Sequence, residues 1–450
     1  MRHPHSSRMG LAFLEALVSV AVLVLVTVGV ARLAVSAGGR AGTGAPVVLA
    51  GPGSATGPAF SYGFDFAAQG PYSGPGADAQ AVASARHVMS SVPAMAEDTS
   101  IKDWGLPDPE PTPGRFNLAA LAARVNLITA TGGVPVVTLC AAPEWMTGST
   151  SPDVAPTPAH YHDFAALAAH VARSFPQVRY FVVWNELKGF WNTAANTWDY
   201  QHYTQMYNDV YTAIKRVRPD ALVGGPYAPT PPYARPQPGD LPSTPHGDWG
   251  YLDQRVLTAI SYWLVNKAGA DFLAVDGPDF PVSGPITDPL TATQKYAAVD
   301  QWLRRRTPLP IWWMETHIQP PASGWPAGRA AAIRVAALIQ AAGSGAVAAL
   351  QWQPEQGDGI PDEGLWTSTQ YPGGGQPTVL AQLLPAASRV FRYQVGLIPG
   401  QPSGVIAGAG RGGAIAANTT SHPVTARLGG DRTVQLGPGQ VWITVSAASR

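Results

Sequence analysis

Short apolar, β-rich segments alternate with amphipathic helical segments from about residue 60 to about residue 355, and this alternation is the strongest constraint on the fold. Such an order favours a parallel α/β fold. The β-rich segments are Ser61–Phe66, Arg86–Val92, Val134–Ala141, Arg179–Glu186, Ala221–Pro226, Asp271–Asp276, Ile311–Thr316 and Ala346–Trp352. Eight such units predict a closed (β/α)8 barrel, the TIM barrel. An open doubly wound sheet is the alternative, but the first segment is not followed by the Gly-x-Gly-x-x-Gly motif of dinucleotide-binding sheets.

Segments with helical periodicity lie between most of these β-rich segments, and a pattern of short strands follows them. The predicted helices are Leu118–Ile128, Tyr161–Ser174, Tyr200–Val217, Leu252–Lys267, Thr293–Arg305, Arg329–Ala342 and Thr378–Arg392. Glycine-punctuated short strands follow, at Val405–Gly408, Ala414–Asn418, Val424–Leu428, Thr433–Leu436 and Val441–Val445. We therefore expect residues 59–394 to form the barrel and residues 395–450 to form a small antiparallel β module.

The N-terminal segment has the composition of a membrane anchor. Residues 9–31 are apolar apart from Glu15, Ser19 and Thr27, a length that suffices to span a bilayer. Residues 1–37 are thus predicted to be a single-pass signal anchor, and the Gly-, Ala- and Pro-rich residues 38–58 to be a flexible linker. Cleavage after Ala37, or a prepilin-like cleavage after Gly10, is the alternative.

Charge and cysteine content exclude several classes of partner. The chain has 29 basic and 29 acidic residues, so it has no surplus of positive charge for binding nucleic acid. Cys140 is the only cysteine, which rules out an internal disulfide and a Cys-rich zinc site. Because no His, Asp or Glu residues show metal-ligand spacing, we expect neither a metal nor another cofactor.

Two predicted strands, the fourth and the seventh, deliver a glutamate to the same end of the barrel. The fourth strand ends in Asn185 and Glu186, and the seventh carries Glu315. Barrel enzymes hold their catalytic groups at the carboxyl ends of the strands, where the loops converge. Two carboxyl groups on either side of a glycosidic oxygen suffice to hydrolyse it, one as acid/base and the other as nucleophile. The prediction fails if Glu186 and Glu315 lie far apart.

The residues around these glutamates resemble the glycoside hydrolases of clan A, and most closely family 39. The resemblance covers roughly residues 60–355 and extends to the β module that this family often carries. The matching segments are Trp184-Asn185-Glu186, Phe190-Trp191, Pro143-Glu144-Trp145-Met146 and Gly224-Gly225-Pro226. It implies that Glu186 is the acid/base, that Asn185 donates to the sugar 2-hydroxyl, and that Glu315 is the nucleophile of a retaining enzyme.

The chain departs from the family pattern at two places. Leu187-Lys188-Gly189 follows the acid/base glutamate, where the family usually has a proline. After the sixth strand the clan commonly has a His with a nearby Tyr bonded to the nucleophile, whereas this chain reads Asp276-Gly277-Pro278-Asp279-Phe280. Either another hydroxyl holds Glu315, or this nucleophile is less restrained.

Further side chains are candidates for binding sugar hydroxyls or stacking on sugar rings, although core packing explains the aromatic ones almost as well. The candidates are Trp145, Trp352, Trp191, His317, Asp65 and Asp276. We expect a retaining glycosidase that acts on extracellular or cell-envelope polysaccharide. The alternatives are a non-catalytic carbohydrate-binding or surface-assembly protein on the same barrel, and a transglycosylase.

Overall fold

The computed structural model describes residues 61–65, 77–92, 95–103, 105–236, 238–282, 288–318, 324–356 and 364–447. Eight parallel strands pair in chain order, and the last pairs with the first to close a barrel. They are β1 (Ser61–Asp65), β2 (Ala96–Ser100), β3 (Val134–Leu139), β4 (Tyr180–Val183), β5 (Leu222–Pro229), β6 (Phe272–Asp276), β7 (Ile311–Thr316) and β8 (Ala346–Trp352). The predicted (β/α)8 barrel is confirmed.

A helix follows each barrel strand and packs on the outside of the sheet. The helices are α1 (Ala79–Ser91), α2 (Ala119–Ala130), α3 (Tyr161–Ser174), α4 (Tyr200–Val217), α5 (Gln254–Asn266), α6 (Pro289–Arg304), α7 (Ala327–Ser344) and α8 (Val379–Phe391). Aspartates cap the N-termini of several of them, because a carboxylate accepts the amide protons that the first turn leaves unpaired. Asp288, for example, accepts from the amides of Leu290 and Thr291 in α6.

The predicted second strand, Arg86–Val92, is wrong. Residues 86–91 belong to α1, whose buried residues Ala81, Ala85, Val88 and Met89 recur at the helical interval. A short apolar run does not distinguish a buried helix face from a strand. The true β2 reads Ala-Glu-Asp-Thr-Ser and is fully buried, so its polar composition concealed it.

Aromatic and aliphatic side chains fill the interior of the barrel. The Trp312 ring packs against Phe272 and Tyr180, with ring centroids 4.7 and 5.0 Å apart. Gly224 on β5 leaves the space that this cluster needs, since a Cβ there would lie 2.2 Å from the Phe272 ring. The interior is therefore a packed core rather than a pore, and a ligand has to bind at the mouth.

The C-terminal strands form two small antiparallel sheets. Their strands are β9 (Val395–Leu397), β10 (Val405–Gly410), β11 (Gly413–Asn418), β12 (Val424–Arg427), β13 (Thr433–Leu436) and β14 (Val441–Val445). Strands β9, β10, β11 and β14 make one sheet, and β12 and β13 make the other. The sequence predicted five of these strands and missed β9, which is too short to show a pattern.

The first of these sheets packs on the barrel and shares its core. Ile406 and Ile415 belong to the same buried cluster as the outer side of the barrel strands and the helices. The Arg329 side chain on α7 also donates to the Thr419 carbonyl oxygen at 2.8 Å. The module is therefore attached to α7 and α8 by apolar contact as well as by the chain.

No helix in the described ranges is both long and apolar enough to cross a bilayer. The predicted membrane anchor and linker, residues 1–58, lie outside those ranges. Both stay predictions, as do the domain boundaries drawn from the sequence.

Replacing Ile415 by alanine tests the shared core. Its side chain is fully buried, so the substitution removes packed methyl groups and leaves a cavity. We expect it to lower the free energy of unfolding by about 2–5 kcal/mol, measured by urea denaturation. The control Val265→Ala, at a site that is 82% exposed, should change it by less than about 0.5 kcal/mol. An unfolding transition of the barrel that Ile415→Ala leaves unshifted would contradict the shared core.

Candidate active site

Glu186 lies in a tight loop just beyond β4. The strand ends at Val183, three residues earlier than predicted, because Trp184 has a left-handed φ of 69°, which turns the chain away from the strand direction. Glu186 and Leu187 are also left-handed, with φ of 50° and 55°. The Trp184 indole is fully buried and donates to the Lys188 carbonyl oxygen at 2.8 Å, which ties the loop to the core. Left-handed non-glycine residues in such a cluster are common at functional sites.

Glu315, on β7, is held by two neighbours. The Tyr227 hydroxyl donates to its Oε1 at 2.7 Å, and Nε2 of His317 lies 3.1 Å from its Oε2. Tyr227 is fully buried at the mouth end of β5. Of the two possibilities left open by the sequence, another hydroxyl therefore restrains Glu315. Tyr227 was not predicted, because the predicted strand ended at Pro226, three residues before its observed end at Pro229.

Asp276 lies between the two glutamates. A shift in the β6–β7 register pairs Asp276 directly with Glu315, and one ligand atom each of Asp276, Glu315 and His317 lies within 4.8 Å of the others. Asp276 also has a hydrogen bond with Glu186. Its side chain is buried, so desolvation raises its pKa well above the ordinary value, and the charges of Glu186 and Glu315 raise it further. The structure thus joins Glu186 and Glu315 into one cluster through Asp276.

Lys188 forms an ion pair with Glu186, with Nζ 3.0 Å from Oε2. Burial by itself would raise the pKa of Glu186, but the Lys188 ammonium, the Asp276 hydrogen bond and the His317 ring outweigh it and bring this pKa to about 2. Burial lowers the pKa of Lys188, but the charges of Glu186 and Glu315 outweigh it and leave this pKa raised. In this arrangement Glu186 is an anion and Lys188 a cation.

Asp98 belongs to the same site and was missed by sequence reasoning. It lies on β2, is buried, and accepts a hydrogen bond from the Thr138 hydroxyl at 2.7 Å. Desolvation raises its pKa to about 7; the Thr138 hydrogen bond opposes this rise and the charge of Glu315 adds to it. The polar residues of Ala96–Ser100 were the available signal, but they do not resemble a strand.

The other predicted binding residues are only partly assembled around this cluster. Trp352, at the end of β8, packs on the His317 ring with centroids 4.9 Å apart, so it reaches the cluster. Oδ1 of Asn185 is buried and has no hydrogen-bond partner among the described residues. Trp145 donates to the Glu110 carbonyl oxygen at 2.9 Å, which fixes it in the loops above β3. Of Asp65, the structure describes the backbone alone, at the end of β1.

Trp191 lines an open groove beside the Glu186 loop. Its ring meets Trp198 edge-on at 5.1 Å, and the Arg255 guanidinium lies 5.4 Å from its centroid. Phe190, Tyr161, Asp199 and further residues complete the groove. This position agrees with an outer contact for a bound chain but does not join Trp191 to the carboxyl cluster.

Asp276, Glu315 and His317 are close enough together to hold a metal ion. Oε1 of Glu315, however, already accepts a hydrogen bond from Tyr227, and its Oε2 is in contact with His317. A metal ion would have to displace the His317 contact. The prediction that the protein needs no metal is not tested by this geometry.

No protein-family model matches the sequence, and no curated protein matches it either. Solved structures do match. A family 39 glycoside hydrolase from Bacteroides cellulosilyticus WH2 is similar with a TM-score of 0.55 at 14% identity, over 83% of this chain and 74% of that chain. A monomeric β-xylosidase from Caulobacter crescentus CB15 has a TM-score of 0.54 at 15% identity, over 84% and 76%. A glucosidase from Croceicoccus marinus has a TM-score of 0.51 at 17% identity, over 86% and 82%.

At these identities the likeness establishes the fold. The resemblance to clan A glycoside hydrolases, and to family 39 in particular, is confirmed at that level. The roles of Glu186, Glu315 and their neighbours stay predictions, because fold alone does not assign them.

Lys188→Met should destabilise the protein in a pH-dependent way. The folded-state pKa of Glu186 is below its ordinary value, so the ion pair contributes stability above about pH 4.5 and loses it as the pH falls toward 2. We expect the variant to lose about 1–3 kcal/mol of unfolding free energy at pH 6 and distinctly less at pH 3, measured by urea denaturation. Lys188→Arg, which keeps the charge, is the control. An equal loss at both pH values would contradict the ion pair.

Proposed function

We propose that this protein is a retaining glycoside hydrolase that cleaves O-glycosidic bonds of a polysaccharide, with Glu315 as nucleophile and Glu186 as acid/base. The observation that carries the proposal is the meeting of Glu186 and Glu315, from distant parts of the sequence, in one cluster at the mouth of a closed barrel. The solved structures of this fold cited above are titled glycoside hydrolase, β-xylosidase and glucosidase, which supports the same reaction class.

The surroundings of Glu315 suit a nucleophile. The Tyr227 hydroxyl donates to one of its oxygens, and the His317 ring contacts the other. They fix the direction of the side chain, which a displacement at an anomeric carbon requires. In the first step a Glu315 oxygen bonds to the anomeric carbon, while the bond between that carbon and the leaving oxygen breaks. Water then attacks the same carbon and releases Glu315.

Retention of configuration is part of this proposal, and the resemblance to clan A glycoside hydrolases supports it. Asp276 contacts Glu186 directly and lies close to Glu315, so one side chain bridges the two catalytic carboxyl groups. Retaining enzymes need a gap of about 5–5.5 Å, whereas inverting enzymes leave about 6.5–9.5 Å for a water molecule. Asn185, with its free amide oxygen, and Trp352, beside His317, are the neighbours best placed to contact the reacting sugar.

One observation favours a second candidate function. Glu186 is ion-paired with Lys188, and its pKa is about 2, so it does not itself hold the proton that a general acid must donate. A carbohydrate-binding protein that keeps the barrel but not the reaction would tolerate such a pair. A transglycosylase, by contrast, shares the covalent intermediate and differs only in the acceptor.

We further propose that the barrel works outside the cytoplasm, held at the membrane by residues 9–31 and the linker that follows. The apolar length of that segment and the basic residues Arg2 and Arg8 before it support this placement.

Replacing each glutamate by alanine should separate their roles on a panel of aryl xylosides, arabinosides, glucosides and mannosides. Glu315→Ala should lose at least about 1,000-fold in kcat/KM on whichever glycoside the unmutated protein hydrolyses, because it removes the nucleophile. Glu186→Ala should lose about 100-fold or more only on members of the panel whose leaving group needs protonation. Azide should replace water on the Glu186→Ala intermediate and give a glycosyl azide of retained configuration. On Glu315→Ala it should replace the nucleophile and give inverted configuration, which NMR of the product distinguishes.

Asp209→Asn, on the outer surface of α4, is the matched control and should keep full activity. Sugar binding by the unmutated protein without turnover of any member of the panel would favour the binding-protein function.

Membrane attachment should depend on the N-terminal segment. In cell fractionation, the full chain should sediment with membranes, whereas a chain beginning at Gly57 should stay in the supernatant. Mass spectrometry of the native N-terminus identifies cleavage after Gly10 or Ala37. A full chain found intact in the supernatant would rule out the anchor.

A further inference from the structure

We propose that Asp276 stores the proton that Glu186 delivers to the leaving group, so that the acid of this site is a two-carboxyl unit and Asp276 is its positioning residue. The inference rests on the proposed glycosidase function. It explains how the site can supply a proton to the leaving group although Glu186 is an anion paired with Lys188. It assigns Asp276 a role different from the sugar contact that its sequence position suggested.

The hydrogen-bond partners of Asp276 identify it as the protonated member of the pair. Its carboxyl is 1% exposed, and no donor among the described residues reaches Oδ1. A buried carboxylate without donors is expensive, whereas a neutral carboxyl can itself donate one proton. The acceptor for that proton is the Glu186 carboxylate, with which Asp276 has its hydrogen bond.

The charges around Asp276 also favour its neutral form. Glu186 after β4 and Glu315 on β7 are both close enough to oppose a second negative charge. Lys295 on α6 pulls the other way, and its amine donates to the Pro278 carbonyl oxygen at 2.5 Å. The His317 ring also lies within 4.8 Å of Asp276, but its Nε2 is in contact with Glu315. Burial lowers the pKa of Lys295 to about 7, so this amine is a weak counter-ion at neutral pH.

Lys188 decides which carboxyl holds the proton at rest. It contacts Glu186 at 3.0 Å and so stabilises the anion there rather than on Asp276. Two carboxyl groups that share a proton titrate as a pair, and the neighbour with a cation loses the proton first. The pair therefore contains one proton, one negative charge on Glu186, and the Lys188 cation that balances it.

The proton then moves through a balanced cycle. As Glu315 attacks the anomeric carbon and the glycosidic bond breaks, the leaving oxygen takes a proton from Glu186, which draws one from Asp276. Both carboxyl groups are then ionised. When water attacks the glycosyl–Glu315 bond, Glu186 accepts the water's proton and passes it to Asp276, and Glu315 is again a carboxylate.

Asp276→Asn tests the stored proton because asparagine keeps the size and can still donate to Glu186 but cannot release a proton. On the full chain we expect kcat/KM to fall about 100-fold or more for methyl or oligosaccharide leaving groups, which need protonation. For dinitrophenyl glycosides, which leave without a proton, it should fall less than about 5-fold, below the range typical of acid catalysis. The alkaline limb of kcat/KM for the poor leaving group should also move to lower pH.

A double variant keeps the proposal falsifiable if Asp276→Asn is partly misfolded. Adding Lys188→Met frees Glu186 to hold a proton itself, so the double variant should regain at least about 10-fold over Asp276→Asn on the poor leaving groups. Asp300→Asn is the matched buried control. Asp300 lies on α6, accepts from the Trp313 indole at 3.0 Å, and should leave the leaving-group dependence unchanged.

The outcomes separate this proposal from the function on which it rests. Equal losses on both kinds of leaving group, without recovery in the double variant, would mean that Asp276 is only structural. An unmutated protein that turns over no glycoside would instead refute the glycosidase assignment.

Discussion

Carboxyl groups from four parts of the barrel, Asp98, Glu186, Asp276 and Glu315, share one poorly solvated mouth, and their mutual repulsion constrains everything else in the site. A low local dielectric does not permit all four to be ionised at neutral pH. Lys188 neutralises Glu186, and hydrogen bonds stabilise Glu315. Burial instead raises the pKa values of Asp98 and Asp276, so the four carboxyl groups differ because their neighbours differ.

The fold holds these four carboxyl groups close together. A packed, largely apolar interior fills the barrel below the mouth. The register shift between β6 and β7 sets Asp276 beside Glu315, and the left-handed turn after β4 brings Glu186 and Lys188 around to face them. Gly189 completes that turn, since a Cβ at its φ of 76° would lie 2.3 Å from the Ala155 amide nitrogen. Rigid backbone thus positions the site.

Sequence reasoning succeeded where a local pattern reports directly on structure. Helices α3 and α4 were predicted to the residue because their buried positions repeat at the helical interval over many residues. It failed at residues 86–100, where an apolar helix face was taken for a strand and the polar strand that lines the site was overlooked. Tyr227 and Asp98 were not predicted as site residues for a related reason. Each interacts with Glu315, which is distant in the sequence.

The sequence by itself determined the (β/α)8 class, most of its strands and helices, and the positions of Glu186 just after the fourth strand and Glu315 on the seventh, because these depend on periodicity and on residue types within short segments. Only the tertiary structure decided which groups surround those glutamates and which of the carboxyl groups keep a proton. From the sequence, Lys188 was only part of a departure from the family pattern, and Asp276 was predicted to contact sugar. Their ionisation is set by burial and by charges a few ångströms away, and neither quantity exists until the barrel has closed.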